Sequence, residues 1–315
     1  LLFRMAKTND QPARHHLGTA NEGRIQRNHL LSGQLLSQSQ PMLTRPIPST
    51  GEQVPVIGLG TFRSFDKRLN SRTRTDLTEV LQLFFDGGGS LIDSSPMYGR
   101  AEETVGTLLS EMNAHHRAFI ATKVWTTGHG RGISQMEESL HKLQADPIAL
   151  MQVHNLVDCD TQLATLKEWK AAGLIKYLGL THYTVSGFRE LIAYIKQGGI
   201  DFVQFPYSIA VREAEERLFP ACEEYGVATL INRPFEQDGL FRWAKSHALP
   251  ELATDLGCNS WGQFFLKYII GQAGVTCAIP ATSSPEHMRD NLSAGVGVVP
   301  TADQRREMRS LLENG

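Results

Sequence analysis

Between residues 54 and 282 the chain repeats one arrangement eight times: a short apolar run, then a longer stretch that is amphipathic at helical spacing. The runs are VPVIGLGT (54–61), SLIDSS (90–95), AFIATKV (118–124), IALMQVH (148–154), IKYLGLTH (175–182), FVQFPYS (202–208), VATLINRP (227–234) and VTCAIPAT (275–282). Between them, Leu77, Val80, Leu81 and Phe84 share one helical face ahead of Gly87, and Leu163, Leu166 and Trp169 do the same ahead of Gly173. VSGFRELIAYIKQGG (185–199) repeats the pattern. Eight strands alternating with helices, without internal domain punctuation, predict a (β/α)8 TIM barrel over residues 42–315. A doubly wound sheet would carry a glycine fingerprint after its first strand. GLGTF (58–62) lacks the third glycine and is not followed at once by a helix. Upstream, two short extended segments flank the turn cluster Ser49–Glu52, which predicts a β-hairpin closing the barrel bottom.

In such a barrel chemistry sits at the C-terminal ends of the strands. LIDSSPMYG (91–99) turns polar within three residues, placing Asp93 at a strand end and Tyr98 in the loop beyond Pro96. Lys123 stands near the end of the third run and His154 at the end of the fourth. A lysine after AFIAT is costly to bury unpaired, and Asp93 on the adjacent strand is its obvious partner. Singly, each residue has a structural explanation: a core histidine, a strand-end ion pair. Together on one rim they read as an acid site. A phenol donates poorly at neutral pH; a nearby ammonium is expected to lower its pKa, with a carboxylate holding that ammonium charged. His154 would donate a second hydrogen bond to an oxygen held between it and Tyr98. Such a site polarises a carbonyl but cannot supply hydride, so a cofactor is required. Ser94 and Ser95 have no role in this reading beyond shaping the turn.

Composition excludes several alternatives. At 315 residues with 41% hydrophobic content, the chain can bury a single large barrel core. Lys plus Arg is 31 against 33 Asp plus Glu, a net charge of −2 that argues against nucleic-acid or membrane-surface partners. Cys159, Cys222, Cys258 and Cys277 are dispersed, and neither a disulfide framework nor a metal site is expected. Residues 1–41, rich in Gln, Asn, His and Arg, read as a disordered extension without a secretory h-region, and the location expected is cytoplasmic.

VPVIGLGT, IDSSPMYG with AEETVG, IATKV, MQVHN, GLIKYLGLTHY, FVQFPYS and IPATSSPEHMRDNL occur in the order and at spacings like those of the aldo-keto reductase superfamily, which the chain resembles over about residues 44–314. The family's Asp, Tyr, Lys and His tetrad falls on Asp93, Tyr98, Lys123 and His154. The resemblance implies a barrel that binds NAD(P)H in extended form and reduces aldehydes or ketones, with hydride from the nicotinamide and the proton from Tyr98. It also implies cofactor contacts, with Asp93 counted among them. Gly60, Thr61 and Phe62 match the nicotinamide-side turn, and Gln204 the glutamine that holds the carboxamide. The usual Ser-Asn pair is Thr181-His182 here. Where the family commonly stacks an aromatic ring on the nicotinamide, this chain has Asn232-Arg233-Pro234. Arg233 is then expected on the pyrophosphate, or else beside Glu236.

Ala281 and His287 stand where members that prefer the phosphorylated cofactor often carry Lys and Arg. Thr282, Ser283 and Ser284 begin a helix whose free N–H groups suit a phosphate, and Asn291 matches the adenine contact. NADP(H) is favoured slightly over NAD(H). The partner expected is a small-molecule carbonyl substrate, taken by a monomer or weak homo-oligomer through a wide site. The rim segment EQDGLFRWAKSHALP (236–250) reads as a long loop. Two rival readings are a cofactor-binding redox-sensing or regulatory subunit with little turnover, and a Schiff-base aldolase using Lys123. The aldolase needs a neutral lysine, which Asp93 opposes.

Overall fold

The computed structural model describes residues 40–313, so the extension expected over residues 1–41 lies, but for its last two positions, outside the described residues. Two short strands, β1 (Thr44–Pro46) and β2 (Gln53–Pro55), pair antiparallel around the expected turn. The chain then alternates β3 (Leu59–Gly60), α1 (Ser71–Asp86), β4 (Leu91–Asp93), α2 (Ala101–Glu111), β5 (Phe119–Val124), α3 (His129–Leu143), β6 (Ile148–His154) and α4 (Cys159–Ala171). It continues with β7 (Ile175–Thr181), α5 (Phe188–Gln197), β8 (Phe202–Pro206), α6 (Ala214–Tyr225) and β9 (Ala228–Asn232). After α7 (Gly239–Ala244), α8 (Glu251–Asp255) and α9 (Trp261–Ile270) come β10 (Cys277–Ala278), α10 (Pro285–Ala294) and α11 (Ala302–Glu313).

Strands β3 to β10 pair side by side in chain order, all parallel. The ring closes where the Gly58 and Gly60 N–H groups donate to the carbonyls of Ala278 and Pro280, and Ala278 N–H to that of Val56. This seam is tight: a Cβ at Gly60 would lie 2.7 Å from the Ile279 carbonyl oxygen, so only glycine fits without a shift. The helices form where the sequence pattern places them. Asn70 caps α1 by accepting from Thr73 N–H at 3.0 Å, and α1 buries Leu77, Val80, Leu81, Phe84 and Phe85.

Alternation along each strand sorts the barrel interior into layers. The lower layer is apolar, with Leu91, Phe119, Leu150, Tyr177, Phe202 and Leu230 packed against Ile47 and Val54 of the hairpin. The hairpin therefore plugs the bottom as the sequence predicts. It is fastened by Thr50 Oγ1, 2.7 Å from Tyr177 Oη, by the Lys176–Glu52 ion pair at 2.6 Å, and by Arg45. The Arg45 guanidinium donates to the carbonyls of Ile270, Gln272 and Val275 at the end of α9.

Segment 236–250 departs from expectation, because α7 occupies its middle. Leu240 and Ala244 are buried, and Phe241 packs 4.8 Å from Phe235 and 6.1 Å from Phe265, centroid to centroid. Asp238-Gly239 reads as a turn signal, and the helix that follows is too short for its apolar spacing to outweigh it. No helix among the described residues is long and apolar enough to cross a membrane.

Candidate active site

Above the apolar layer the barrel interior becomes polar, and the register explains which side chains meet. Lys123 on β5 sits opposite Gln152 on β6, His154 opposite Thr181 on β7, and Thr181 opposite Gln204 on β8. All point inward at neighbouring heights. Gly179 leaves room for this layer, since a Cβ there would stand 3.2 Å from Gln152 Cγ and 2.8 Å from the Phe202 carbonyl oxygen.

Lys123 Nζ donates to Asp93 Oδ2 at 2.7 Å and to the Ser94 carbonyl at 2.7 Å, with the Lys123 and Asp93 side chains both buried. The second carboxylate oxygen, Asp93 Oδ1, accepts from Gln204 Nε2 at 2.9 Å and Gln152 Nε2 at 3.1 Å. Gln204 Oε1 in turn accepts from Thr181 Oγ1 at 3.1 Å. Two buried charges are thus paired and surrounded by donors that satisfy the remaining lone pairs, the condition under which such a pair is tolerated. Burial alone would lower the Lys123 pKa, but Asp93 and Tyr98 raise it further, and the net direction is up. A lysine held toward its charged form by its neighbours is a poor Schiff-base nucleophile.

The Tyr98 ring lies over this pair, with Lys123 Nζ 4.9 Å from its centroid. Phe62 flanks it at 5.0 Å, and His154 meets it edge-on at 5.9 Å. The phenol pKa departs from the sequence expectation. Burial raises it, and although Lys123 pulls it down, Asp93 pushes it back up, leaving the net direction upward. The ammonium is already engaged by Asp93, which weakens its help to a phenolate. A raised pKa keeps the phenol protonated at neutral pH, the state a proton donor must occupy.

His154 is buried, and burial together with the charges of Lys123 and His182 pushes its pKa down to about 2. Its ring is neutral throughout the range in which proteins work. Because the folded value lies below the unfolded one near 6.5, the unfolded chain binds one more proton as pH falls. Stability from this group is therefore fully present above about pH 6.5 and lost progressively below it, at up to about 1.4 kcal/mol per pH unit. The His154→Gln variant is expected to show a shallower fall in urea midpoint between neutral pH and about pH 5 than wild type. Parallel curves for the two proteins would show that the ring takes up its proton in the fold as readily as in the unfolded chain.

These groups open onto a cleft of about 570 Å³ at the C-terminal mouth of the barrel. Gly60, Thr61, Phe62, Asp93, Tyr98, His154, Thr181, Gln204, Asn232, Arg233 and Pro234 all line it, so most of the residues singled out in the sequence converge there. His182 is turned aside: its Nδ1 lies 3.1–3.2 Å from the backbone and hydroxyl of Thr184, and its ring stacks on Tyr183. Arg233 has no ion pair with Glu236 but lies 5.2 Å over the Tyr183 ring, with Nη1 3.4 Å from the Tyr183 carbonyl oxygen. Its backbone is left-handed (φ 52°), as are those of Glu236 (50°), Gln237 (51°) and Asp238 (73°) just beyond. Thr282, Ser283 and Ser284 follow Ala281, itself on the cleft, into α10. There Thr282 Oγ1 accepts from Ser284 N–H at 3.0 Å and Ser284 Oγ caps the helix through His287 N–H. His287 is exposed and Asn291 buried on α10, while Arg289 is drawn away to Glu79 at 2.7 Å.

Four further residues belong to this site. Gln152 is discoverable by alternation, being two positions before His154. Trp125, two residues beyond Lys123, and Met97, beside Tyr98, form exposed apolar walls. Ser95 reaches His154 Nδ1 at 3.0 Å.

Residues 56–313 match the model of the Aldo/keto reductase family. The chain is similar to the aldo-keto reductase YhdN of Bacillus subtilis, at 28% identity over 311 residues that cover 85% of this chain and 93% of the relative. It is also similar to the NADP-dependent D-sorbitol-6-phosphate dehydrogenase of Malus domestica, at 25% identity over 284 residues, 78% of this chain and 86% of the relative. Among solved structures, an aldo-keto reductase from Klebsiella pneumoniae in complex with NADPH has a TM-score of 0.72 to this chain at 24% identity, covering 86% of this chain and 95% of that one.

Proposed function

The chain belongs to the aldo/keto reductase family, and from that premise we propose that it is an NADPH-dependent carbonyl reductase whose proton donor is Tyr98. The observation that carries this reading is the buried Lys123–Asp93 pair beneath the Tyr98 ring, beside a neutral His154, at the mouth of the cleft. A carbonyl oxygen held against the Tyr98 hydroxyl and the imidazole would be polarised by two neutral donors. Lys123, charged and close, would stabilise the phenolate left once the proton has moved. The bound cofactor supplies the hydride.

The residues present fit a nicotinamide cofactor. Asn232 Oδ1 is buried without a hydrogen-bond partner among the described residues, and the residue lines a cleft also bordered by Thr181 and Gln204. An amide donor from a carboxamide would satisfy it. Gly60, Thr61 and Phe62 would border the ring and Arg233 the pyrophosphate. Thr282, Ser283, Ser284 and His287 at the start of α10, with Asn291 behind them, would hold the adenosine end. The relative named as NADP-dependent supports NADP(H) over NAD(H); Arg289, engaged by Glu79, would have to exchange partners to assist.

Purified protein should oxidise NADPH in the presence of a panel of aldehydes and ketones, and oxidise NADH more slowly. In fluorescence titrations, Arg233→Ala should weaken NADPH about ten-fold, the loss of one charge-assisted contact. Cofactor binding without turnover of any carbonyl would favour the redox-sensing or regulatory subunit. Failure to bind either nucleotide would sink the reading.

A further inference from the structure

We propose that Ser95 is a positioning residue that holds the neutral His154 ring in the tautomer whose proton is on Nε2. Ser95 is fully buried. Among the described residues its Oγ has two hydrogen-bond neighbours, Met97 N–H at 3.3 Å and His154 Nδ1 at 3.0 Å. The Met97 amide can only donate, so Oγ accepts from it. The hydroxyl hydrogen then has one acceptor within reach, the Nδ1 lone pair. With the proton on Nδ1 instead, the Ser95 hydroxyl would be a buried donor aimed at no acceptor, a cost that favours the Nε2–H tautomer by roughly ten to one or more.

The tautomer matters because the ring carries a single proton across the working pH range. His154 Nε2 has no partner among the described residues, and the residue lines the cleft. Protonated there, His154 is a hydrogen-bond donor to a substrate oxygen; protonated on Nδ1 it would present a lone pair to that oxygen and repel it. Ser95 also orients the other donor. Its carbonyl accepts from Tyr98 N–H at 2.9 Å, closing the turn around Pro96 and Met97. The preceding Ser94 N–H is fixed to the Ala121 carbonyl at 2.8 Å. One residue thus sets the phenol through its backbone and the imidazole through its side chain.

The catalytic value of this arrangement rests on the reductase reading, but the tautomer itself is read without turnover. Long-range ¹⁵N–¹H NMR of the free protein, with the His154 signals identified by their loss in His154→Gln, should show a proton-bearing Nε2 and a pyridine-like Nδ1 near neutral pH. In Ser95→Ala both tautomers should be populated, kcat for aldehyde reduction should fall about ten-fold, and the Kd for NADPH should stay unchanged. Ser95→Thr, which keeps the hydroxyl, should restore the Nε2–H signature. A wild-type ring protonated on Nδ1, or a Ser95→Ala protein with the wild-type tautomer and kcat, would overturn the proposal. The wild-type spectrum decides even where Ser95→Ala does not fold. The expected tautomers in a protein that reduces no carbonyl would leave the positioning assignment standing and remove the reductase reading alone.

Discussion

Tyr98→Phe is expected to lower kcat/KM for carbonyl reduction by roughly 10²–10⁴-fold, the usual worth of a positioned general acid, with the Kd for NADPH unchanged. The substitution removes one oxygen and keeps the ring. The packing against Phe62 at 5.0 Å, the edge contact with His154 at 5.9 Å and the seat over Lys123 at 4.9 Å are all contacts of the ring rather than of the hydroxyl. The phenol is also the group whose protonated state is secured by burial. Steady-state kinetics with the best aldehyde, set beside a cofactor titration, separate the two quantities. A Tyr98→Phe enzyme working at near wild-type rate would move proton delivery to His154 or to solvent.

The second large effect concerns stability. Asp93→Leu would leave the Lys123 ammonium buried without its counter-charge, and removing one member of such a pair typically costs about 3–5 kcal/mol. Lys123→Met strands the carboxylate, but with Gln204 and Gln152 still donating to Oδ1, so its cost should fall at the lower end of that range. The double variant carries neither charge. It should unfold in urea well above the sum of the single losses while remaining inactive, yet below wild type, because the buried Gln204 and Gln152 amides lose their acceptor. Simple additivity of the two changes would mean that the charges are not coupled. A double variant that retains activity would place the proton chemistry elsewhere.

The candidate tetrad is legible in the sequence because strand alternation and strand ends are local properties. Asp93, Lys123 and His154 each close an apolar run, and a parallel barrel brings all such ends to one mouth. The barrel and its hairpin are legible for the same reason. The direction of the Tyr98 pKa is not, because it depends on how much water the fold removes from around the phenol, and burial of a loop residue is a tertiary quantity. His182 shows a related limit. Its position beside Thr181 follows from the strand, but its ring is claimed by Thr184 two residues on, a choice made by the loop. Ser95 is visible only as a turn former, since nothing in LIDSSPMYG indicates that a side chain from β6 arrives next to it. Helix α7 is hidden because one turn of amphipathic spacing is weaker than the Asp-Gly signal that precedes it.

The left-handed backbone at Arg233, Glu236, Gln237 and Asp238 has an evolutionary consequence. A side chain in that conformation costs roughly 1 kcal/mol or more relative to glycine, which adopts it freely. At these four positions glycine would relieve that cost, and Arg233, Gln237 and Asp238 bear it where they line the cleft. In a lineage whose cleft no longer binds a ligand, these positions should drift to glycine before the barrel strands change.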